Sequence, residues 1–524
     1  MSSCDNPNVE QDSLMTRRKK YDGKTKACVK CKENTGHVVI RHAVYCKSCF
    51  FPLIEARFKK SLEPTINSSG PRRKTLKAAG SLVIGFSGGI GSRTLLDLVA
   101  KTYYAPREVD EEKLRGGTNH PRNKEQGVWT GKPIVCFVDT SSAFSNTSLV
   151  EEARIIVESY PGVFDFRPIL LEDAFDQDWW RKVGGDLSES ASGLGLDITD
   201  QDLRLSYAST STSECSPQTA LRAYLASLPT RTAFYNAIQT LTRVLLLQTA
   251  ASENASHLLL GTSLTSLSVN LISGIAQGAG FSVAEEAIEE WTPEPGCGMK
   301  LKVVRPLRDV GMKECAMWTY WHNLNVIPSL NAVENNGRNA IHTLTRDFIF
   351  GLETDYPATV STIARTCAKL APKETPSGVC LLCQRPTHAE VQAWKAQISI
   401  RTYHDAASAV SGNTRPPHLT ENEIASLTKK TQDDLSTSSN TLTPFLCYAC
   451  HTTLTSRSSR GTTLTLPPGI SPTNIPIPRW ITQPMALSPQ RSNFLNADGE
   501  VFQSLKQTPE DLKSRIEGFI LSDE

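Results

Sequence analysis

Four Cys-x-x-Cys pairs stand at the two ends of this chain, with a long stretch between them that contains no such pair. Cys28-Val-Lys-Cys31 and Cys46-Lys-Ser-Cys49 are separated by 14 residues; Cys380-Leu-Leu-Cys383 and Cys447-Tyr-Ala-Cys450 by 63. Thiolates two residues apart in a tight turn can face one ion, and two such turns complete a tetrahedron. The spacing therefore predicts two structural zinc modules, one before and one after a central domain. His37 and His42 in the first, and His451 in the second, are alternative ligands. Four cysteines close a coordination shell, so neither centre reads as catalytic. The wide second gap contains a Ser/Thr/Asn/Asp-rich insert at 404–443, which a ribbon tolerates because closure entropy grows only logarithmically with loop length.

Between the modules, short apolar runs alternate with helical spacing. Ser81–Phe86 and Pro133–Val138 read as buried strands, and Phe166–Leu171, His257–Gly261 and Val303–Pro306 as a third, fourth and fifth strand. Arg93–Lys101, Leu149–Tyr160 and Thr219–Ala251 read as helices. That alternation predicts an α/β fold, a doubly wound parallel sheet covered on both faces. The expected organisation is a mobile basic tail at 1–20, an N-terminal zinc module at 21–62 and a basic linker at 63–80. An α/β domain follows at 81–352, with insertions near 103–131 and 182–216. A zinc ribbon at 353–460 and a Pro/Thr-rich tail with a short helix at 461–524 complete it.

The charge is uneven. Residues 1–80 hold 17 Lys/Arg against 7 Asp/Glu, while the whole chain carries only +2. Basic runs at Arg17, Arg18, Lys19 and Lys20 and at Arg72, Arg73 and Lys74 are a candidate polyanion contact, a solvated tail being the plain alternative. The first twenty residues have no apolar segment of the signal-peptide kind, and no run is long enough to span a bilayer. A cytoplasmic protein without membrane contact is expected. With eight of the 14 cysteines in pairs, metal binding is expected rather than disulfides.

Ser87-Gly-Gly-Ile-Gly-Ser92 joins the first central strand to its helix. Glycines let backbone approach a phosphate, and a helix N-terminus offers N–H donors. The turn lacks the G-K-S/T of a Walker loop and is not G-x-G-x-x-G. It resembles the S-G-G-x-D-S loop of the ATP-pyrophosphatase superfamily. The resemblance implies that Ser87, Gly88, Gly89 and Ser92 hold pyrophosphate, with Gly91 in the place of the family's aspartate. Asp139, at the end of the second strand, completes the candidate nucleotide site, where ligands of open α/β sheets bind; a polar residue at a helix start is its equal alternative. ATP with magnesium is the implied cofactor.

The combination is more specific. Arg57-Phe-Lys59 follows the first zinc module, Gly261-Thr-Ser-Leu-Thr-Ser-Leu-Ser268 follows the fourth strand, Arg305-Pro-Leu-Arg-Asp309 leads to Lys313-Glu314, and the second cysteine ribbon comes last. Together these resemble the cytoplasmic tRNA 2-thiolation protein 2 family. The resemblance implies a role in 2-thiolation of the wobble uridine of lysine, glutamate and glutamine tRNAs. It implies a heterodimer with the paralogous thiolation protein 1, sulfur from a thiocarboxylated ubiquitin-related modifier together with that modifier's activating enzyme, and more distantly a link to protein conjugation. Active relatives carry acidic residues after the fourth strand and a cysteine pair within the α/β domain. Here Thr262–Ser266 are hydroxyl-rich, and Cys136, Cys215, Cys297 and Cys315 are single. That implies a non-catalytic or weakly active subunit. An independent uridine adenylase, or a zinc-ribbon RNA scaffold outside thiolation, are the alternatives.

Overall fold

A computed structural model describes residues 27–67, 76–104, 128–144, 146–183, 194–200, 203–207, 215–286, 288–293, 300–327, 340–367, 369–370, 378–387, 441–456 and 466–481. The basic runs at Arg17–Lys20 and Arg72–Lys74, Cys297, and most of the 404–443 insert lie outside these residues.

The chain opens with an antiparallel hairpin, β1 (Val38–Ile40) and β2 (Ala43–Tyr45), and a 20-residue helix, Lys47–Ile66. Phe50, Ile54, Phe58, Leu62 and Ile66 recur every four residues along that helix and are buried, which gives it one continuous apolar stripe to pack. The helix runs past residue 62, where the first module was expected to end, because Ile66 continues the stripe. Its last turn is anchored: Lys302 Nζ donates to the Thr65 carbonyl at 2.9 Å, and His257 Nε2 lies 3.3 Å from the same oxygen.

The central strands follow as β3 (Ser81–Gly85), β4 (Ile134–Asp139) and β5 (Asp165–Leu170). Next come β6 (Leu194–Leu196), β7 (Leu205–Tyr207), β8 (Ala255–Leu260), β9 (Ile288–Trp291) and β10 (Leu301–Val304). The main sheet has the order β5-β4-β3-β8-β10-β9; the first five strands are parallel and β9 is an antiparallel edge. This is the expected doubly wound α/β sheet. Its order turns back between β3 and β8, which makes that boundary the topological switch point.

Period-two alternation sends neighbouring residues to opposite faces. Val83 belongs to a core that also holds the helices Pro217–Ser227 and Arg231–Ser252; Leu82 and Ile84 belong to a second core with Ile90–Val99, Met312–Trp321 and Lys47–Ile66. The second core includes the N-terminal module's Phe50 and Phe58, and the first includes Cys380, Cys383 and Cys450. Each cysteine module is thus built into one face of the sheet.

Three expectations change in detail. The single helix read over Thr219–Ala251 is two, Pro217–Ser227 and Arg231–Ser252, separated at Pro229 and each started by a hydroxyl cap: Ser216 accepts from the Thr219 amide, and Thr230 from Ala233. The stretch read as an aperiodic insertion, 182–216, supplies β6 and β7. The tail supplies β13 (Ile475–Pro476), following β11 (Gly378–Val379) and β12 (Pro386–Thr387), and it pairs with β6 in a three-stranded sheet ordered β13-β6-β7. Trp480 and Ile481 then enter the core, and Trp480 Nε1 donates to the Leu382 carbonyl at 3.0 Å. Strands of two or three residues carry no readable period, so sequence alone shows only composition there. Among the described residues no helix is long and apolar enough to cross a membrane.

Candidate functional site

Three constellations carry the chemistry-bearing residues: two cysteine centres and the switch point.

The two cysteine centres share one construction. In the first, the turn after Cys28 returns the Lys32 amide to the Cys28 carbonyl at 2.8 Å; in the second, Gln384 does the same to Cys380 at 2.8 Å. Both residues adopt a left-handed backbone, φ +61° for Lys32 and +54° for Gln384. The second pair of each centre opens a helix, with Cys46 as N-cap of Lys47–Ile66 and Cys447 as N-cap of Tyr448–Thr455. Helix N-termini favour negative charge, so thiolates there are stabilised. Cys28, Cys31, Cys46 and Cys49 bring their sulfur atoms within 4.8 Å of one another, and so do Cys380, Cys383, Cys447 and Cys450. A tetrahedron with metal–sulfur bonds of about 2.3 Å has edges of about 3.8 Å. Cys31–Cys46 and Cys383–Cys447 sulfurs are each 3.8 Å apart. Both groups fit a four-thiolate metal ion. His37, His42 and His451 belong to neither group.

Their surroundings differ. In the first centre Cys31 and Cys49 are half-buried, and Lys30, Lys32 and Lys47 are exposed. The Ser48 hydroxyl, 3.1 Å from the Cys46 sulfur, pulls the Cys46 thiol down to about 6 with help from the Cys49 amide, while burial and the neighbouring cysteines push Cys49 up to about 12. The second centre sits in the core beside Tyr224, Leu382, Leu446 and Leu454. A buried ionic network adjoins it. Arg243 donates to the Cys383 carbonyl and pairs with Glu289; Arg385 pairs with Glu286, which also accepts from Arg305 at 3.2 Å. Burial pulls the Arg243 guanidinium down to about 9, and the thiolate of Cys383 and Glu286 pull the other way. Burial also pushes Glu285 up to about 7. Sequence reading missed this network, since Arg243, Glu286, Glu289, Arg305 and Arg385 come from four separate segments.

At the switch point the Gly-rich turn lies against the loop after β8. Ser87 Oγ donates to Ser92 Oγ at 3.2 Å, and Ser92 Oγ to the Gly89 carbonyl at 3.0 Å. Gly89 is the N-cap of Ile90–Val99 without a side-chain cap. Gly88 has φ +74° and accepts from the Ile327 amide at 2.9 Å. Gly91 is closed in: a Cβ there would stand 2.2 Å from the Gly261 carbonyl oxygen, and a Cβ on Gly261 would stand 2.4 Å from Ser92 Cα. Two glycines facing each other let the loops touch, and no carboxylate can project from position 91 unless they part.

The hydroxyls after Gly261 are used locally. Ser263 caps Leu264–Ala276 by accepting from the Ser266 amide; Thr265 donates to Glu353 at 2.8 Å and accepts from the Met312 amide at 2.9 Å. Glu314 is buried and paired with Arg57 at 2.7 Å, which ties the N-terminal helix to Met312–Trp321. Asp139 is buried at the end of β4, accepting from the Ser141 amide at 3.0 Å and the Ser148 hydroxyl at 2.6 Å. It lines a polar cavity of about 320 Å³ with Ser142, Glu172 and Arg222. The first contacts are those of a loop cap; the second is an opening at the carboxyl edge of the sheet. Cys136 is fully buried in β4, as a core residue.

Residues 340–452 match a family model described as cytoplasmic tRNA 2-thiolation protein 2. A protein of that name from Danio rerio is 26% identical over 495 residues, covering 86% of this chain and 90% of the relative. One from Xenopus laevis, the 2-A form, is 28% identical over 407 residues, covering 71% and 74%. A solved structure titled as a U34-tRNA thiolase from Methanococcus maripaludis with its 4Fe-4S cluster aligns at 15% identity and a TM-score of 0.42, covering 72% of this chain and 98% of that one. That last likeness is too distant to add to the fold described above.

Proposed function

We propose that this chain is a member of the cytoplasmic tRNA 2-thiolation protein 2 family, as the match over residues 340–452 and the relatives at 26–28% identity support, and that it is a non-catalytic subunit of the cytoplasmic machinery that places sulfur on the wobble uridine of lysine, glutamate and glutamine tRNAs. It acts as a heterodimer with the paralogous thiolation protein 1. The partner performs the ATP-dependent activation, and the thiocarboxylated ubiquitin-related modifier, charged by its activating enzyme, provides the sulfur. Both cysteine centres hold structural zinc. The basic segments around Arg17–Lys20 and Arg72–Lys74 contribute to the tRNA contact.

The observation that carries the reading is the contact between Gly91 and Gly261. An aspartate on the pyrophosphate loop could orient a nucleotide or its magnesium only if it had room, and here its Cβ would stand 2.2 Å from the Gly261 carbonyl oxygen. The hydroxyls of Thr265 and Ser263 are bonded within the fold, and hydroxyls do not compensate a magnesium ion as carboxylates do.

Two measurements test this. Cells lacking the chain should lose 2-thiouridine from digested tRNA and accumulate the unthiolated 5-substituted nucleoside; unchanged thiouridine would remove the chain from thiolation. The purified chain alone, with ATP, magnesium and unmodified tRNA, should release no pyrophosphate above a blank. Release by the chain alone would make it an adenylating enzyme in its own right.

A further inference from the structure

The second cysteine centre poses an electrostatic problem that the first does not. A divalent ion with four thiolates carries a net charge of −2, and transferring such a charge into a low-dielectric interior is costly without compensation. Cys380, Cys383 and Cys450 are buried within the apolar core. The first centre has two half-buried cysteines and exposed lysines near it, so water and mobile cations can supply the balance.

We propose that Arg243 and Arg385 are the charge-compensating clamp of the second centre, and that this clamp makes it the kinetically inert metal site of the two while the first exchanges. The inference rests on the reading that both cysteine groups hold metal.

The geometry supports it from two sides. Arg243 bonds the carbonyl of Cys383 itself, and Arg385 lies two residues beyond Cys383, with its own carbonyl accepting from the Cys380 amide at 2.8 Å. Both guanidiniums are held in place from behind, Arg243 by Glu289 on the edge strand and Arg385 by Glu286. Arg305, 3.2 Å from Glu286, adds a third positive charge. Three arginines against Glu286 and Glu289 leave one positive charge in excess beside the thiolates, with the burial-raised Glu285 as a partial counterweight. An ion leaving this centre would strand buried thiolates and cations together, which raises the barrier to release.

The test uses the full chain loaded with two equivalents of zinc and challenged with a chromophoric chelator at neutral pH. Release is expected in two phases, the fast one lost in a Cys31→Ala variant and so assigned to the first centre. Arg243→Met should accelerate the slow phase about 10- to 100-fold, the range typical when a partner of a metal ligand is removed, and leave the fast phase unchanged. Arg243→Lys, which keeps the charge, should fall between Met and wild type. Glu289→Gln removes a neighbouring negative charge but keeps an amide oxygen to accept from Arg243, so the clamp stays in place and the slow phase should not accelerate.

A slow phase unaltered by Arg243→Met in a chain with unchanged circular dichroism would overturn the proposal. So would a Glu289→Gln chain that loses metal as fast as Arg243→Met, because the network would then only hold shape. The comparison of Arg243→Lys with Glu289→Gln decides the matter even if Arg243→Met does not fold. A chain that binds no zinc at either centre would instead refute the underlying metal reading.

Discussion

Replacing Gly91 by alanine separates two accounts that predict opposite signs. Gly91 lies in the first turn of Ile90–Val99. On helix propensity alone, Gly→Ala stabilises by about 0.5–1 kcal/mol. The structure adds a collision: the new Cβ would stand 2.2 Å from the Gly261 carbonyl oxygen, and ordinary contact begins at 3.4 Å. The loops must therefore part by about 1.2 Å, and because backbone meets backbone, no side chain can turn aside. Overpacking of this kind costs about 1–3 kcal/mol, which outweighs the propensity gain. At about 2–4 °C per kcal/mol for a domain of this size, the melting temperature should fall by a few degrees. Gly91→Asp, which places the superfamily's residue in the loop, should fall at least as far. Thermal unfolding followed by circular dichroism, on metal-loaded protein, is the assay. An alanine variant that melts above wild type would refute the seam between the loops, and with it the main support for a non-catalytic role.

Other expectations follow from the same contacts. His257 is held neutral by burial, its imidazole pulled down to about 4; its stabilising effect is present above its unfolded value of about 6.5 and is lost as pH falls toward 4. Moving the imidazole from about 6.5 to about 4 corresponds to about 3 kcal/mol, so His257→Gln should flatten the loss of stability between pH 6.5 and 4, and an unchanged slope would count against it. Arg57→Met leaves the buried Glu314 without its cation and should cost roughly 3 kcal/mol in a denaturant titration; a loss under about 1 kcal/mol would mean Glu314 finds water. Trp480→Ala should cost about 3–5 kcal/mol and increase proteolysis at residues 466–481, whereas unchanged protection would detach that segment from the core.

Much of this fold can be read from residue order, and the exceptions have identifiable causes. The strands β3 and β4 are almost wholly apolar and buried because helices cover both faces at the middle of the sheet, and such runs stand out against polar loops, whereas β5 at the sheet edge is mostly exposed and reads less clearly. The cysteine centres are legible for a different reason: their ligands sit at fixed spacing, and the chemistry tolerates no substitute. What escaped notice depends on contacts between distant segments. Gly91 reads as a lost aspartate, but only the position of Gly261 shows that the space has closed as well. Glu314 beside Lys313 looks like a solvated helix face until Arg57, 257 residues away, is seen to meet it. Arg243 is one more charge in a long amphipathic helix, with nothing local to mark it as the neighbour of Cys383. Leu194–Leu196 and Ile475–Pro476 are too short to have a period and become strands only by pairing, β13 with β6 and β6 with β7.

The pairing of β6 with β13 has a consequence for synthesis. The core that contains Val83 and Ile134 also needs Leu446, Cys450 and Trp480, so its first and last members are made roughly 400 residues apart. At about 5–20 residues per second, the ribosome takes roughly 20–80 s to cover that distance. Throughout that interval the face of the sheet carried by Val83 and Cys136 lacks its final covering, and contacts of such long sequence separation form slowly in any case. A nascent chain of this protein therefore waits with that core incomplete, and a message truncated before Trp480 yields a sheet whose face is covered by its helices but lacks Trp480 and Ile481, rather than a shortened but sound domain.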